Sequence, residues 1–109
     1  MNTPSAPAAF LQLIEYRTYR PEEMEPILAR WLDAIGAERT ARRYLTCTNR
    51  DHPDRFVQIV EIPCHAAAMA NSCHPATATF ATELRTLCDS EIVFHNLDIQ
   101  AARDLTTPQ

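Results

Sequence analysis

The sequence predicts a single α+β domain with the element order strand, helix, strand, strand, helix, strand. Three observations carry that prediction. Apolar residues recur at the helical period in two stretches and at or near the strand period in four others. A dense run of turn-forming residues separates the second strand from the third. The chain has 109 residues, the size of one domain rather than two.

The first strand is read over Phe10 to Thr18 (FLQLIEYRT). Phe10, Gln12, Ile14 and Tyr16 share one face, while Leu11 and Leu13 share the other, so both faces are covered over part of its length. Pro21 to Ala34 reads as a helix. Met24, Ile27, Leu28, Trp31, Leu32 and Ile35 form one apolar stripe along it. Pro21 and the acidic Glu22, Glu23 and Glu25 suit a first turn, where the helix dipole favours negative charge. Pro26 does not suit an interior position, so the regular helix is expected to begin near Glu25. Gly36 is the natural stop.

Thr40 to Thr48 and Phe56 to Ile62 read as a hairpin joined by Asn49-Arg50-Asp51-His52-Pro53-Asp54, with Pro63 closing the second arm. His65 to Ala70 is a short helix. Asn71 or Ser72 can cap a second piece that has Pro75 in its first turn and Phe80, Leu84, Leu87 and Cys88 along one face. The last strand is Glu91 to Ile99. Residues 1–9 are expected to be a disordered Pro/Ala/Ser-rich tail, residues 10–99 the domain, and residues 100–109 a polar C-terminal tail.

That order is the ferredoxin-like split βαβ arrangement, a four-stranded antiparallel sheet with two helices on one face. No strand has a wholly polar face. A sheet that is apolar on both sides, with helices on only one, calls for a partner on the other. A two-fold homodimer packed sheet on sheet is the simplest solution.

Composition excludes several function classes. Gly36 is the single glycine, which removes any Gly-rich phosphate loop. The formal net charge of −4 argues against broad nucleic-acid binding. No apolar run reaches the ~20 residues of a membrane span. The start lacks a basic and apolar leader, so a cytoplasmic location is expected, with Cys47, Cys64, Cys73 and Cys88 as free thiols. Cys64-His65 and Cys73-His74 lie nine residues apart, and adjacent side chains diverge, so no metal site is expected.

The stretch FVQIVEIPCHAAAMANSCHPATATFATELRTLCD followed by EIVFHNLDI resembles antibiotic biosynthesis monooxygenase (ABM)-like domains of the dimeric α+β barrel superfamily. The resemblance spans about Phe10 to Ile99. It implies a dimeric α+β barrel. It also implies a possible cofactor-independent monooxygenase, or a related enzyme, acting on a small hydrophobic or aromatic molecule. Family members include oxygenases of aromatic polyketides, heme-degrading oxygenases and quinol oxygenases. The anthrone oxygenases among them carry an Asn early in the third strand and a Trp four residues on. The matching positions here are Val57 and Glu61 (or Val60). A Tyr on the following helix maps near Ala67. The heme-degrading members use a His on that helix, and the face from Phe80 to Leu87 holds none.

The remaining polar residues supply the candidates. His95 lies on the strand face of Val93 and Leu97, either as a satisfied buried imidazole or as a base lining a cavity. His74 heads the second long helix, as a capping residue or as a base kept neutral by the helix dipole. Tyr16 and Asn71 could orient a ligand, although Asn71 also reads as a cap. Glu61, if it points inward, must be paired or have a raised pKa. Asn96 suits a ligand contact or a cross-strand pair, and Gln58 a cross-strand pair. Tyr16, Arg43 and Tyr44 could orient a phenol or carboxylate, while Arg39, Arg42 and Arg43, with Arg50 and Arg55 across the hairpin and Glu38, Asp51 and Asp54 nearby, read as a mixed solvated surface. Trp31 reads as core. Two function classes stay open. One is a cofactor-free enzyme; the other is a non-catalytic dimeric domain that binds a hydrophobic ligand or a partner protein.

Overall fold

The computed structural model describes residues 9–106. Apart from Ala9, the expected N-terminal tail lies outside the described residues, as do the last three residues of the C-terminal one. The order is β1 (Phe10–Arg17), a 3₁₀ turn (Pro21–Glu23), α1 (Met24–Ile35), a second 3₁₀ turn (Gly36–Glu38), β2 (Arg43–Asn49), β3 (His52–Ile62), α2 (His65–Ser72), α3 (Pro75–Leu87) and β4 (Val93–Asp98). The sheet order is β2-β3-β1-β4, and every pair is antiparallel. This is the ferredoxin-like βαββαβ fold expected from the sequence.

Element boundaries moved for local reasons. Pro26 falls in the first turn of α1, where its missing N–H has no partner to lose. Gly36 ends the helix at φ 54°, a left-handed conformation that glycine adopts without penalty. β2 starts three residues later than expected, because Thr40 bonds to α2 instead of joining the ladder. Its N–H donates to Asn71 Oδ1 (3.1 Å) and its hydroxyl to the Ala67 carbonyl (2.6 Å). β3 starts four residues earlier. Asn49 Oδ1 accepts from the N–H groups of Asp51 and His52, so the chain reverses within two residues instead of six. Pro53 is tolerated because the ladder to β1 begins only at Arg55. The helix break falls at Cys73–His74, and His74 caps α3 in place of Asn71 or Ser72.

Side-chain alternation sorts the sheet into two faces. Phe10, Ile14, Tyr16, Phe56, Gln58 and Ile62 point toward the helices and are buried. The α1 stripe of Met24, Ile27, Leu28, Trp31 and Ile35 packs over them, joined by Leu84 and Leu87 of α3. Leu84 is wholly buried. The opposite face carries Leu11, Leu13, Leu45, Cys47, Val57 and Ile59, half-buried, and Val93 and Leu97, 43% and 41% exposed. No helix covers it.

Candidate ligand cavity

A cavity of about 320 Å³ opens between the sheet and the helices, at the small end of the range for ligand sites. Its floor is Gln12 and Ile14 of β1, Tyr44 of β2, and Gln58 and Val60 of β3. Leu28, Trp31 and Leu32 of α1 form one wall, and Thr77 and Phe80 of α3 the roof. Asn71, at the end of α2, and the segment Arg39 to Arg43 close the remaining side. The broken helix matters here. Thr40 ties the segment before β2 to the last turn of α2, and so holds Asn71 against the cavity.

The polar groups in and beside the cavity form defined chains. Thr46 Oγ1 donates to Gln58 Oε1 (2.9 Å), and Gln58 Nε2 donates to Tyr16 Oη (3.1 Å). Gln58 is 1% exposed, so this pairing is what makes its burial tolerable. Trp31 Nε1 donates to Thr77 Oγ1 (2.9 Å), which fixes the indole in the wall, and its ring packs tilted against Phe80. Gln12 Nε2 donates to Asn96 Oδ1 (3.1 Å). Burial pushes the Tyr16 phenol above its ordinary value. The Gln58 hydrogen bond works against that shift, and nearby Cys88 adds to it. Burial raises the Tyr44 phenol as well, with a smaller push from Glu25. Both phenols are neutral hydrogen-bonding groups at neutral pH.

The six candidate side chains fall in three places. Asn71 lines the cavity. Tyr16 and Asn96 are one side chain removed from it, bonded to Gln58 and Gln12 respectively. His95, His74 and Glu61 lie outside. His95 is on the open sheet face, where its Nε2 sits 2.6 Å from Glu15 Oε2. His74 Nδ1 accepts from the Ala76 N–H (3.0 Å), and its Nε2 faces Glu38 Oε2 at 3.3 Å, so both ring nitrogens are engaged. Glu61 is opposite Arg43 on the open face, with the two charges 3.8 Å apart.

Of the positions matched by resemblance, alternation turns Val57 and Glu61 away from the cavity, while the alternative, Val60, lines it. The amide that β3 turns inward is Gln58, one residue along from Val57. Gln12, Gln58, Trp31 and Arg39 also line the cavity without having been singled out as ligand contacts. A signal for the two glutamines existed. Each is a polar residue in phase with the apolar, helix-facing side of its strand, which is a costly placement unless a partner or ligand needs it.

No known family's sequence model matches the chain, and no curated protein matches it in sequence. Solved structures do match. A conserved protein from Methanosarcina mazei superposes with a TM-score of 0.72 at 9% identity, over 85% of this chain and 94% of that one. A Nitrosomonas europaea protein provisionally assigned as an antibiotic biosynthesis monooxygenase gives 0.68 at 11% identity, over 88% and 94%. SnoaB of Streptomyces nogalater, described as a cofactor-independent oxygenase, gives 0.67 at 22% identity, over 94% and 100%. The chain has the antibiotic biosynthesis monooxygenase fold. At these identities the likeness is one of fold, so the ABM-like assignment describes architecture. Among the described residues, no helix is long and apolar enough to cross a membrane.

Proposed function

We propose that this ABM-like chain is a cofactor-independent monooxygenase acting on a small hydrophobic or aromatic molecule held between sheet and helices. The observation that carries this reading is the cavity itself, with mostly apolar walls and the buried amide of Gln58 turned into it, on a fold shared with SnoaB. Leu28, Trp31, Val60 and Phe80 suit a flat ring system. The chemistry that fits is oxidation of an activated methylene, R₂CH₂ + O₂ → R₂C=O + H₂O. One oxygen atom enters the product and the other leaves as water, and the substrate supplies all four electrons. A proton leaves carbon first, the carbanion reduces O₂ and forms the C–O bond, and the hydroperoxide then loses water. The protein binds and orients the ring, excludes bulk water and stabilises the anion with amide N–H groups. His74 and His95 have no part in this scheme, because neither lines the cavity. Among the lining residues there is no Asp, Glu or His, so the acidity of the substrate itself must do most of the work of ionisation.

The working unit in this reading is a homodimer joined through the open sheet faces. The support is the row of Leu11, Leu13, Val57, Ile59, Val93 and Leu97 with no helix over it. Sedimentation equilibrium at micromolar concentration is expected to give twice the chain mass, and a monomer would contradict it.

Oxygen uptake with anthrone as a probe tests the catalytic step. Uptake that is lost in Gln58→Leu supports it. The absence of a catalytic carboxylate or imidazole favours the second reading, a non-catalytic ligand-binding domain. Quenching of Trp31 by the probe without any oxygen uptake would establish that reading.

A further inference from the structure

One charged pair interrupts the apolar, open face of the sheet. His95 Nε2 lies 2.6 Å from Glu15 Oε2, and the two side chains are 43% and 51% exposed. The register sets this pair among apolar neighbours. Leu13 of β1 is directly opposite His95, and Val93 of β4 is opposite Glu15. On the β3 side, Val57 is opposite Glu15 and Ile59 is opposite Leu13. The other charges of this face stand at its two ends. Arg43 of β2 and Glu61 of β3 meet at one end, 3.8 Å apart. Arg17 of β1, Arg55 of β3 and Glu91, just before β4, are at the other. The Arg17 guanidinium faces Asp54 (3.9 Å) and donates to the Asp89 carbonyl (3.0 Å). Cys47 of β2, opposite Val57, is the one further titratable side chain on this face among the described residues.

We propose that the homodimer takes up protons as it forms, one at each Glu15–His95 pair, so that pH controls the association of a second copy with this face. This rests on the homodimer reading above and adds its regulation. In the separated chain both side chains reach water, which solvates either charge state. Packing sheet on sheet removes that water. A carboxylate beside a neutral imidazole is then a costly charge to bury, whereas a carboxylate beside a protonated imidazole is a neutral pair. Two-fold symmetry doubles the difference, because without the added protons two like charges enter one interface. The proton belongs to the pair, whichever atom carries it. A pair that holds its proton more tightly in the dimer than in the chain favours association at low pH, and that contribution is lost as pH rises. Imidazole is the side chain whose ordinary protonation range lies between pH 5 and 8, which sets the range to test.

Sedimentation equilibrium of the full chain at pH 6.0 and pH 8.0 tests the proposal. The dimer dissociation constant is expected to be about tenfold lower at pH 6.0. His95→Gln keeps a hydrogen-bond donor but takes up no proton, and is expected to bring the ratio close to one. Glu15→Gln leaves a protonated imidazole as the unpaired charge, so the ratio is expected to invert, with the tighter dimer at pH 8.0. His52→Gln removes the same titration at the hairpin and is expected to keep the tenfold ratio, which separates the pair from the general loss of negative charge on a chain of net −4. A parent dimer whose constant does not change with pH, as Arg55 serving as the counter-ion of Glu15 would give, overturns the proposal and leaves the homodimer standing. So does a tenfold ratio that survives in His95→Gln or Glu15→Gln, or one that is lost in His52→Gln. A monomer at both pH values removes the homodimer reading and this proposal with it.

Discussion

The two faces of the sheet are built from the same strands and do different work. Toward the helices, Phe10, Ile14, Tyr16, Phe56 and Ile62 are almost wholly buried, and the buried Gln58 among them is paired with Tyr16 and with the exposed Thr46. Away from the helices, Leu11, Leu13, Val57 and Ile59 are half-buried, Val93 and Leu97 more open, and the charged residues sit in loose pairs such as Arg43–Glu61. Folding alone completes the first face. The second is apolar and, among the described residues, has no helix over it; in the proposed homodimer association buries it. The difference teaches that polarity is informative only relative to face. Gln58 under the helices and Glu15 on the open face are both polar strand residues, but only Gln58 needed partners before the chain could fold.

The largest break of that comparison comes from the core. Leu84→Ala removes a wholly buried side chain and is expected to cost about 2–5 kcal/mol in urea unfolding. Leu97→Ala on the open face is expected to change the stability of the isolated chain far less. Leu97→Asp sharpens the contrast. An unpaired charge buried in a sheet-on-sheet interface weakens the dimer by about a hundredfold or more, with an unchanged circular dichroism spectrum. Sedimentation then reads a monomer at concentrations where the parent is a dimer. Gln58→Leu keeps the volume roughly constant but strands the buried hydroxyl of Tyr16, a stability loss of about 1–3 kcal/mol. Its effect on ligand binding is expected to be about tenfold.

The smallest expected effect is in pH dependence. Burial, and secondarily Asp89, pushes the Cys88 thiol from 9.0 up to about 11. A thiol held protonated in the fold but ionised when unfolded contributes stability below pH 9, and that contribution is lost as pH rises toward 11. Tyr16, also raised, adds to the same alkaline decline. The urea midpoint is expected to fall over this window, and Cys88→Ala to fall less steeply. At pH 8 iodoacetamide is expected to modify the exposed Cys64 and Cys73 well before Cys88, as read by peptide mass mapping.

Much of the fold could be read from the sequence because its signals are periodic. The α1 stripe from Met24 to Ile35, the alternation in β1 and β3, and the punctuation at Gly36 and Pro75 each carry a local physical cause. What could not be read depended on side chains meeting across the chain. Thr40 leaves the β2 ladder for a bond to Ala67, 27 residues away, and nothing near Thr40 announces it. His74 and His95 attract attention as bases, but one caps a helix and the other pairs with Glu15. The site register turned on a single step. Counting from the resemblance points to Val57 and to Glu61 or Val60, whereas pleat alternation turns Gln58 and Val60 inward. The glutamines were the better guide, since their place on an apolar face already marked them as needing partners.

Methyl-resolved NMR of the isotope-labelled chain tests this division of labour most directly. Titrated with anthrone, the account predicts shifts at Ile14, Leu28 and Val60 on the helix-covered side. It predicts that dilution through the dimer transition shifts Leu13, Val57, Ile59 and Leu97 instead. Ligand-induced shifts confined to the open-face set would contradict it.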